Sequence, residues 1–213
     1  MATRPVFVPF KKAPFVSAYS TEFEWNPGLS ISQKLRNVDA LHNAYSRRFP
    51  GKKILEISSK SLEPEGVMLS VFNLKKYVPV LDRRVPVECV FQGGKVFRIG
   101  GPFTDLYEAE PKDAKRDGRL KSSGELKGFY FDGQDFPTRP LTAFYNWLYI
   151  NALLENPHLA EKLLEYDAFT DIEFNPNRSL NCQAEAAAVF VSLNALGKLE
   201  EARDINTFYR LIA

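Results

Sequence analysis

The sequence predicts a single-domain α+β protein in which a small antiparallel sheet is surrounded by several helices. Strand-like segments come early in the chain and helix-like segments dominate after Arg139, a separation typical of α+β domains. The 213 residues are 45% hydrophobic and include 17 Phe and 9 Tyr, which is enough apolar material for a sizeable core. Neither a repeat nor a Gly/Ser linker divides the chain, so we expect one domain over residues 1–213.

The early elements follow from hydrophobic periodicity. A helix is predicted from Ser30, with Ser30 or Ser32 as its cap, because apolar side chains then recur every three or four residues. The segments at 52–59 and 67–74 flank a turn at Pro64–Gly66 and are predicted to pair as antiparallel strands. A short helix is expected at 85–97, and a strand leading into a turn at 128–136.

The late elements are placed by proline and glycine. Pro140 suits the first turn of a helix that ends before Pro157, and Pro157 suits the first turn of the next helix, with Asn156 as its cap. A short strand is predicted at 169–174. Ser179 or Asn181 is expected to open an Ala-rich helix that stops at Gly197, and a last helix is predicted over 199–212.

Composition narrows the functional classes. The net charge of +2 argues against coating nucleic acid by bulk charge, although a local basic patch remains open. Cys89 and Cys182 stand beside apolar residues, which favours buried thiols in a reducing cytosol. His42 and His158 lie far apart without ligand-like neighbours, so we expect no metal. We also expect no cofactor, no membrane span, no secretory signal, a cytoplasmic location and a monomer.

The sharpest local pattern is in the helix predicted at 85–97. At about 100° per residue, Glu88, Gln92 and Lys95 fall on one stripe roughly 60° wide, and the intervening residues are apolar or glycine. Burying an acid, an amide and an amine is costly unless they are paired or used. Gly93 and Gly94 are expected to let a ligand approach the backbone closely. An exposed stripe of ordinary polar residues is the alternative.

Two segments that follow this helix in the sequence have groups suited to binding a phosphate. The turn containing Gly101, Phe103 and Asp105 can offer backbone amides to a phosphate, or be a plain turn. Residues 112–121 carry five basic and two acidic side chains and include Lys115 and Arg119. They can contact a diphosphate or a DNA backbone, or form a solvated helix end.

Other candidates are more scattered. Trp25 lies in an aromatic-rich turn, where its ring can stack on a base or pack in the hydrophobic core. Lys34 and Lys60 are lysines near predicted element ends. Asp171 and Glu173 are two residues apart on the predicted strand, so their side chains share one face. They can orient a substrate there, or simply face solvent. P-loop, dinucleotide-binding and nucleophile-elbow motifs are missing, which leaves serine- and cysteine-type hydrolases unsupported.

Taken in order, several segments resemble the NADAR family of ADP-ribose-processing proteins over roughly residues 20–200. They are Leu69–Asn73, Val87–Lys95, Ala114–Arg119, Asn156–Leu164 and Ile172–Glu173. The segments Glu24–Lys34 and Gly101–Leu106 are similar to the branch paired with the DarT toxin. Cys89 replaces a family histidine, and Asn175–Asn177 replaces a Trp-Gly segment, which fits the toxin-paired branch better than enzymes of riboflavin synthesis.

The resemblance implies an antitoxin that cuts ADP-ribose from guanine in DNA that a DarT-type toxin has modified. Glu88 is the candidate for charge stabilisation or proton transfer, and Lys95, with Lys34 and Lys60 as rivals, for a Schiff base with the opened ribose. The predicted substrate-binding residues are Trp25, Asn26, Gln33, Asn73, Gln92, Phe103, Asp105, Lys115 and Arg119. The alternatives are an N-glycosidase acting on a riboflavin-pathway intermediate, a non-catalytic module that binds ADP-ribose, and a structural or partner-binding protein.

Overall fold

The computed structural model describes residues 1–28 and 30–212, so Leu29 and Ala213 lie outside the description. Within the described residues the strands are β1 (Ala2–Pro9), β2 (Val16–Phe23), β3 (Ile54–Glu56), β4 (Lys75–Val78), β5 (Arg83–Pro86), β6 (Lys95–Phe97), β7 (Leu126–Phe131), β8 (Gln134–Phe136) and β9 (Ala168–Thr170). The α-helices are α1 (Ile31–Arg48), α2 (Pro64–Met68), α3 (Val87–Gly93), α4 (Pro111–Arg116), α5 (Arg119–Ser122), α6 (Ala143–Leu154), α7 (Pro157–Leu163), α8 (Gln183–Ala195) and α9 (Ile205–Ile212). Three short 3-10 helices lie at Pro79–Leu81, Thr104–Glu108 and Glu201–Arg203.

The strands form small sheets among helices, which confirms the predicted α+β fold. The largest described sheet has four strands in the order β2-β1-β9-β3, and smaller sheets have the orders β4-β5 and β6-β7-β8. β1 and β2 pair antiparallel over their whole lengths, whereas β3 and β9 run parallel. The sheet is therefore mixed rather than purely antiparallel.

The hairpin of β1 and β2 was not predicted, although β-branched and aromatic residues typical of strands occur in both segments. Pro5 and Pro9 interrupt the first strand, and proline is normally found on strands only where no N–H is needed. Only Phe7 of β1 pairs with β9. Apart from Phe7, the edge of β1 beside β9 therefore needs no backbone N–H donors. Prolines, which have no N–H group, are tolerated in this strand for that reason.

The predicted antiparallel pair of 52–59 and 67–74 is wrong. Only Ile54–Glu56 is a strand, and its partner is β9. Pro64 starts α2, and Ser70 and Asn73 then close turns: the Ser70 hydroxyl and the Asn73 amide both donate to the Val67 oxygen, at 2.7 and 2.9 Å. Such local side-chain bonds compete with a strand ladder, which is why the apolar run 67–74 does not extend.

The helix predictions hold in outline. Ser30 caps α1 in a box with Gln33, and the predicted apolar face is buried at Val38, Leu41 and Tyr45. Helix α8 stops at Gly197, which has the expected positive φ of 68°. It begins at Gln183 rather than at Ser179 or Asn181.

Other boundaries differ by a few residues. Pro140 precedes α6 instead of lying in its first turn, and the Ala143 N–H donates to the Pro140 oxygen at 3.1 Å. Pro157 opens α7 as predicted, but the Asn156 side chain makes no cap and donates instead to the Lys75 and Ala152 oxygens. The last predicted helix divides into the 3-10 turn at Glu201–Arg203 and α9.

The core lies around α6 and α8, which pack against each other. In α6 every residue from Ala143 to Leu153 is buried, and α8 is buried over most of its length. A helix that is apolar on all sides belongs in an interior. These two helices therefore form the rigid base on which the cavity described below is built.

The two glycines at the end of α3 are packing positions, so the expectation that a ligand approaches them is wrong. A Cβ at Gly93 would lie 2.6 Å from the Tyr107 ring and 2.9 Å from the Phe103 carbonyl oxygen. A Cβ at Gly94 would lie 2.7 Å from the Tyr130 oxygen. Protein atoms already fill the space beside both residues.

Gly93→Ala should therefore destabilise the fold by about 1–3 kcal/mol, the usual effect of overpacking a core. Chemical denaturation measures this loss. Gly118→Ala is the matched control, since no heavy atom lies within 4 Å of its added Cβ, and its effect should stay within about 0.5 kcal/mol. Equal stability of the two variants would show that α3 is not packed as described.

Candidate active site

A cavity of about 400 Å³ opens beside α3. Its walls come from α3, from Lys115 at the end of α4, from α6, and from the segments that follow β3 and β9. The residues that line it include Ser58, Ser70, Phe72, Glu88, Phe91, Gln92, Lys95, Lys115, Tyr145, Asp171, Glu173, Arg178, Asn181 and Gln183. The size falls within the range of small-molecule sites, and the walls are rich in polar groups.

Three predicted residues form a continuous hydrogen-bonded chain along one wall. Lys95 Nζ donates to Gln92 Oε1 at 2.7 Å, and Gln92 Nε2 donates to Glu88 Oε1 at 2.9 Å. Glu88 and Gln92 are 3% and 6% exposed. The second carboxylate oxygen of Glu88, Oε2, accepts no hydrogen bond from any described residue, so it is open to a ligand.

The local fold explains how this wall is built, and it corrects one prediction. The Val87 and Glu88 N–H groups donate to the Leu74 and Val71 oxygens, both at 2.9 Å, which anchors the start of α3. The helix ends at Gly93, so the predicted helical stripe holds only for Glu88 and Gln92. Lys95 is the first residue of β6, and its long side chain reaches back to Gln92.

Burial changes the chemistry of Lys95. Its Nζ lies 4.7 Å from the centre of the Phe91 ring. Desolvation lowers the pKa of Lys95 to about 8, with the Glu88 charge opposing this effect and Lys115 adding to it. A neutral amine is the nucleophilic form of lysine, and this lowered pKa brings a larger fraction of Lys95 into that form near neutral pH than an ordinary lysine has.

Lys115 extends the charge pattern toward solvent. Its Nζ lies 3.9 Å from Glu88 Oε1 and 5.3 Å from the centre of the Phe72 ring, and its side chain is 58% exposed. At that distance and exposure the ion pair stabilises the fold little. The ammonium group is therefore free to meet an anion at the mouth of the cavity.

The cavity lining also carries a second carboxylate, Asp171. Gln183 Nε2 donates to its Oδ2 at 2.9 Å, and the Glu173 N–H donates to its Oδ1 at 3.0 Å. Burial, and next the nearby charge of Glu56, raise the pKa of Asp171. The predicted strand ends at Thr170, so Asp171 and Glu173 do not alternate on a strand, yet both line the cavity.

A buried network holds this part of the cavity lining in place. Glu56, 2% exposed, accepts hydrogen bonds from the Ser58 hydroxyl at 2.6 Å, the Thr170 hydroxyl at 2.7 Å and the Ile172 N–H at 2.9 Å. Gln183 links three segments, since it also accepts from the Val71 N–H and donates to the Ile57 oxygen. Satisfied buried networks of this kind rigidify the groups around them.

The amino-terminal candidates lie away from the cavity walls. Trp25 packs on Phe23 and under Arg4, whose guanidinium is 5.4 Å from the ring centre. The Asn26 N–H donates to Asn37 Oδ1 at 2.7 Å. Gln33 accepts from the Ser30 N–H in the cap of α1. Each makes protein contacts, and the cavity lining does not include them.

Four more candidates also stand outside the lining. Asn73 donates to the Val67 oxygen and the Ser70 hydroxyl. Arg119 pairs with Asp105 at 2.7 Å and with Asp117 at 2.9 Å, and its guanidinium lies 4.6 Å from the centre of the Phe103 ring. Two carboxylates therefore already hold the arginine predicted to bind phosphate or DNA.

The rival lysines are placed at the edge of the site. Lys34 Nζ lies 2.5 Å from Glu173 Oε1, and Glu173 lines the cavity. Lys60 Nζ donates to the Ser59 hydroxyl at 3.0 Å. Neither lysine lines the cavity itself, whereas Lys95 does.

Sequence reasoning missed several lining residues, including Tyr145, Gln183 and Asn181. Tyr145 lies within the apolar helix α6, and Gln183 opens the equally apolar α8. The available signal was a polar side chain inside an otherwise apolar helix. Burial of such a group is costly unless it forms a hydrogen bond with the protein or with a ligand. The loop residues Asn181 and Arg178 carried no such signal.

Cys89 and Cys182 are free and buried. The Cys89 thiol donates to the Ala109 oxygen at 3.3 Å, and burial raises the pKa of this thiol to about 12. A thiol that stays protonated at neutral pH is a poor nucleophile. In residues 1–28 and 30–212 no three His, Cys, Asp or Glu side chains cluster in a way that could hold a metal ion. No helix in the same ranges has the length and hydropathy needed to cross a membrane.

Comparison with known families now defines the class. The family model described as DarT1-associated NADAR antitoxin matches residues 2–213. The class is therefore that of the NADAR proteins, which are hydrolases of the N-glycosidase type. More narrowly, the chain belongs to the DarT1-associated NADAR antitoxins, as the sequence motifs suggested. No curated protein matches the sequence.

Proposed function

We propose that this antitoxin hydrolyses the bond between the ribose of ADP-ribose and a guanine nitrogen in DNA modified by its partner toxin. The observation that carries the proposal is the chain of hydrogen bonds from Lys95 through Gln92 to Glu88 inside the cavity. It holds a nucleophilic amine and a carboxylate together on one wall. We expect the protein to act as a monomer in the cytoplasm, where its DNA substrate lies.

The first chemical step opens the ribose. Glu88 passes a proton to the ring oxygen, the bond from that oxygen to C1 breaks, and C1 becomes doubly bonded to the guanine nitrogen. The neutral amine of Lys95 adds to C1, and its excess proton returns to Glu88.

The second part releases the base and restores the enzyme. Glu88 passes the proton to the guanine nitrogen, the bond from that nitrogen to C1 breaks, and C1 becomes doubly bonded to Lys95. Water then adds to C1, the lysine leaves as a neutral amine, and the proton that this step releases returns to Glu88, which regains its acid form. ADP-ribose then closes its ring. The net change is the addition of one water across the ribose–nitrogen bond.

The remaining groups suit the rest of the substrate. Lys115 and Arg178 bring positive charge to the cavity lining, which suits a diphosphate. Gln92 positions both Glu88 and Lys95, because its amide oxygen and nitrogen are each engaged by one of them. Asp171 offers carboxylate lone pairs to ribose hydroxyls.

The direct test uses an oligonucleotide that carries ADP-ribosylated guanine. The wild-type protein should release free ADP-ribose and restore the unmodified oligonucleotide, measured by chromatography with mass detection. A phosphorylated pyrimidine–sugar compound is the comparison substrate and should remain intact. An unchanged modified oligonucleotide, or turnover of the comparison compound alone, would overturn the proposal.

A further inference from the structure

One buried tyrosine on the floor of the cavity has no assigned task. Tyr145 is 6% exposed, lines the cavity, and packs edge-on against Phe91 with ring centres 5.0 Å apart. Its ring therefore belongs to the core, while its polar end reaches the site. It lies on α6, a helix that is otherwise occupied with packing.

The hydroxyl of Tyr145 has no hydrogen-bond partner among the described residues. Tyr149, one turn further along α6, does have one, since its hydroxyl donates to the Leu69 oxygen at 2.9 Å. The hydroxyls of buried Tyr45 and Tyr107 have no described partner either, but neither residue lines the cavity, whereas Tyr145 does. A buried tyrosine hydroxyl normally finds a partner, because leaving it unpaired costs free energy. The Tyr145 oxygen is also not among the buried polar atoms that are sealed from solvent without a partner. It therefore meets the open space of the cavity.

The charges around this hydroxyl indicate what it can bind. Burial raises the pKa of Tyr145 well above its ordinary value, and the negative charges of Glu88 and Asp171 add to this effect. The group therefore remains a hydrogen-bond donor at every physiological pH. It lines the same cavity as these two carboxylates.

We infer that Tyr145 is a substrate-binding residue whose hydroxyl donates a hydrogen bond to a ribose oxygen in the cavity that it lines together with Glu88 and Asp171. This inference rests on the proposed function, because it takes the ribosyl group as the occupant of the cavity. The two carboxylates accept hydrogen bonds and cannot donate them in their charged forms. A sugar oxygen with a free lone pair needs a donor at this position, and Tyr145 supplies one.

The test is the affinity for ADP-ribose of Tyr145→Phe, measured by calorimetry. The variant keeps the ring that packs against Phe91 and removes only the hydroxyl. Its affinity should fall about 5- to 20-fold, as expected for one lost hydrogen bond to a ligand. Its thermal stability should stay at the wild-type level, because the hydroxyl has no described partner to lose.

Tyr149→Phe is the matched control. It also removes one hydroxyl from α6, but the Tyr149 hydroxyl donates to the Leu69 oxygen inside the core. The melting temperature of this variant should therefore fall, while its affinity for ADP-ribose should stay unchanged. A crystal structure of the wild-type complex gives a second readout, in which the Tyr145 oxygen should lie within hydrogen-bond distance of a ribose oxygen.

The outcomes separate the two claims. If Tyr145→Phe binds ADP-ribose as tightly as the wild type, and the wild type still hydrolyses modified DNA, the inference is wrong and the proposed function stands. If the wild type binds ADP-ribose but leaves modified DNA intact, the proposed function is wrong, and weaker binding by the variant still supports the contact. A wild-type protein without affinity for ADP-ribose would overturn both.

Discussion

Glu88→Gln should lower the rate of ADP-ribose release by about 100- to 10,000-fold, the range attributed to positioned proton transfer. In the proposed mechanism this carboxylate shuttles the proton between the ring oxygen, the lysine and the guanine nitrogen. An amide of the same shape can still accept the hydrogen bond from Gln92, so the wall should keep its geometry. The measurement is single-turnover release of ADP-ribose from the modified oligonucleotide.

Glu108→Gln is the control for this change. Glu108 is a surface glutamate that pairs with Arg83 at 3.5 Å and has a side chain that is 65% exposed. Its loss should leave the rate within about twofold of the wild type, because surface substitutions change little. A Glu88→Gln protein with full activity would remove the carboxylate from the mechanism.

Lys95→Arg should reduce turnover by on the order of 1,000-fold, because a guanidinium cannot form a Schiff base and the reaction loses its positioned nucleophile. The positive charge remains, so the change isolates nucleophilicity from electrostatics. Lys127→Arg is the control, since Lys127 is an exposed lysine that pairs with Glu125 at 2.5 Å. It should retain wild-type turnover.

The pH profile of the wild type provides a second readout for Lys95. With a pKa of about 8, about one tenth of Lys95 is neutral at pH 7, whereas an ordinary lysine with a pKa of 10.5 would be only about 0.03% neutral. The lowered pKa means that the neutral, reactive form accumulates as the pH rises. The rate at which a lysine-selective acylating reagent modifies Lys95, followed by peptide mapping, should therefore increase from pH 6 to 8 and level off above pH 8. A rate that rises steadily to pH 10 would show that Lys95 has the pKa of an ordinary lysine.

The fold class and the family followed from the sequence because they rest on local signals. The capping pattern at Ser30, the glycine stop at Gly197 and the proline start at Pro157 each act within one turn of helix, and each appears in the structure. The parallel pairing of β3 with β9 did not follow, because it joins segments more than 100 residues apart. A three-residue strand carries too little pattern to reveal its partner.

Which side chains contact one another in the site was predictable only where they lie on one short segment. Glu88 and Gln92 share a helix face, and Lys95 follows closely enough to reach them, so their spacing indicated the wall that the structure shows. Asp171 and Tyr145 come to the cavity from other elements, and only tertiary packing brings them there. Arg119 shows the converse, because composition could not reveal that Asp105 and Asp117 already engage it.

The most direct measurement is borohydride reduction during turnover, followed by peptide mapping of the protein by mass spectrometry. A reduced Schiff base leaves a stable sugar adduct on the lysine that formed it. We expect one adduct, on Lys95, absent from Lys95→Arg and absent without modified DNA. An adduct on Lys34 or Lys60, or active protein that yields no adduct at all, would contradict the assignment of a sheltered amine beside Glu88 as the nucleophile.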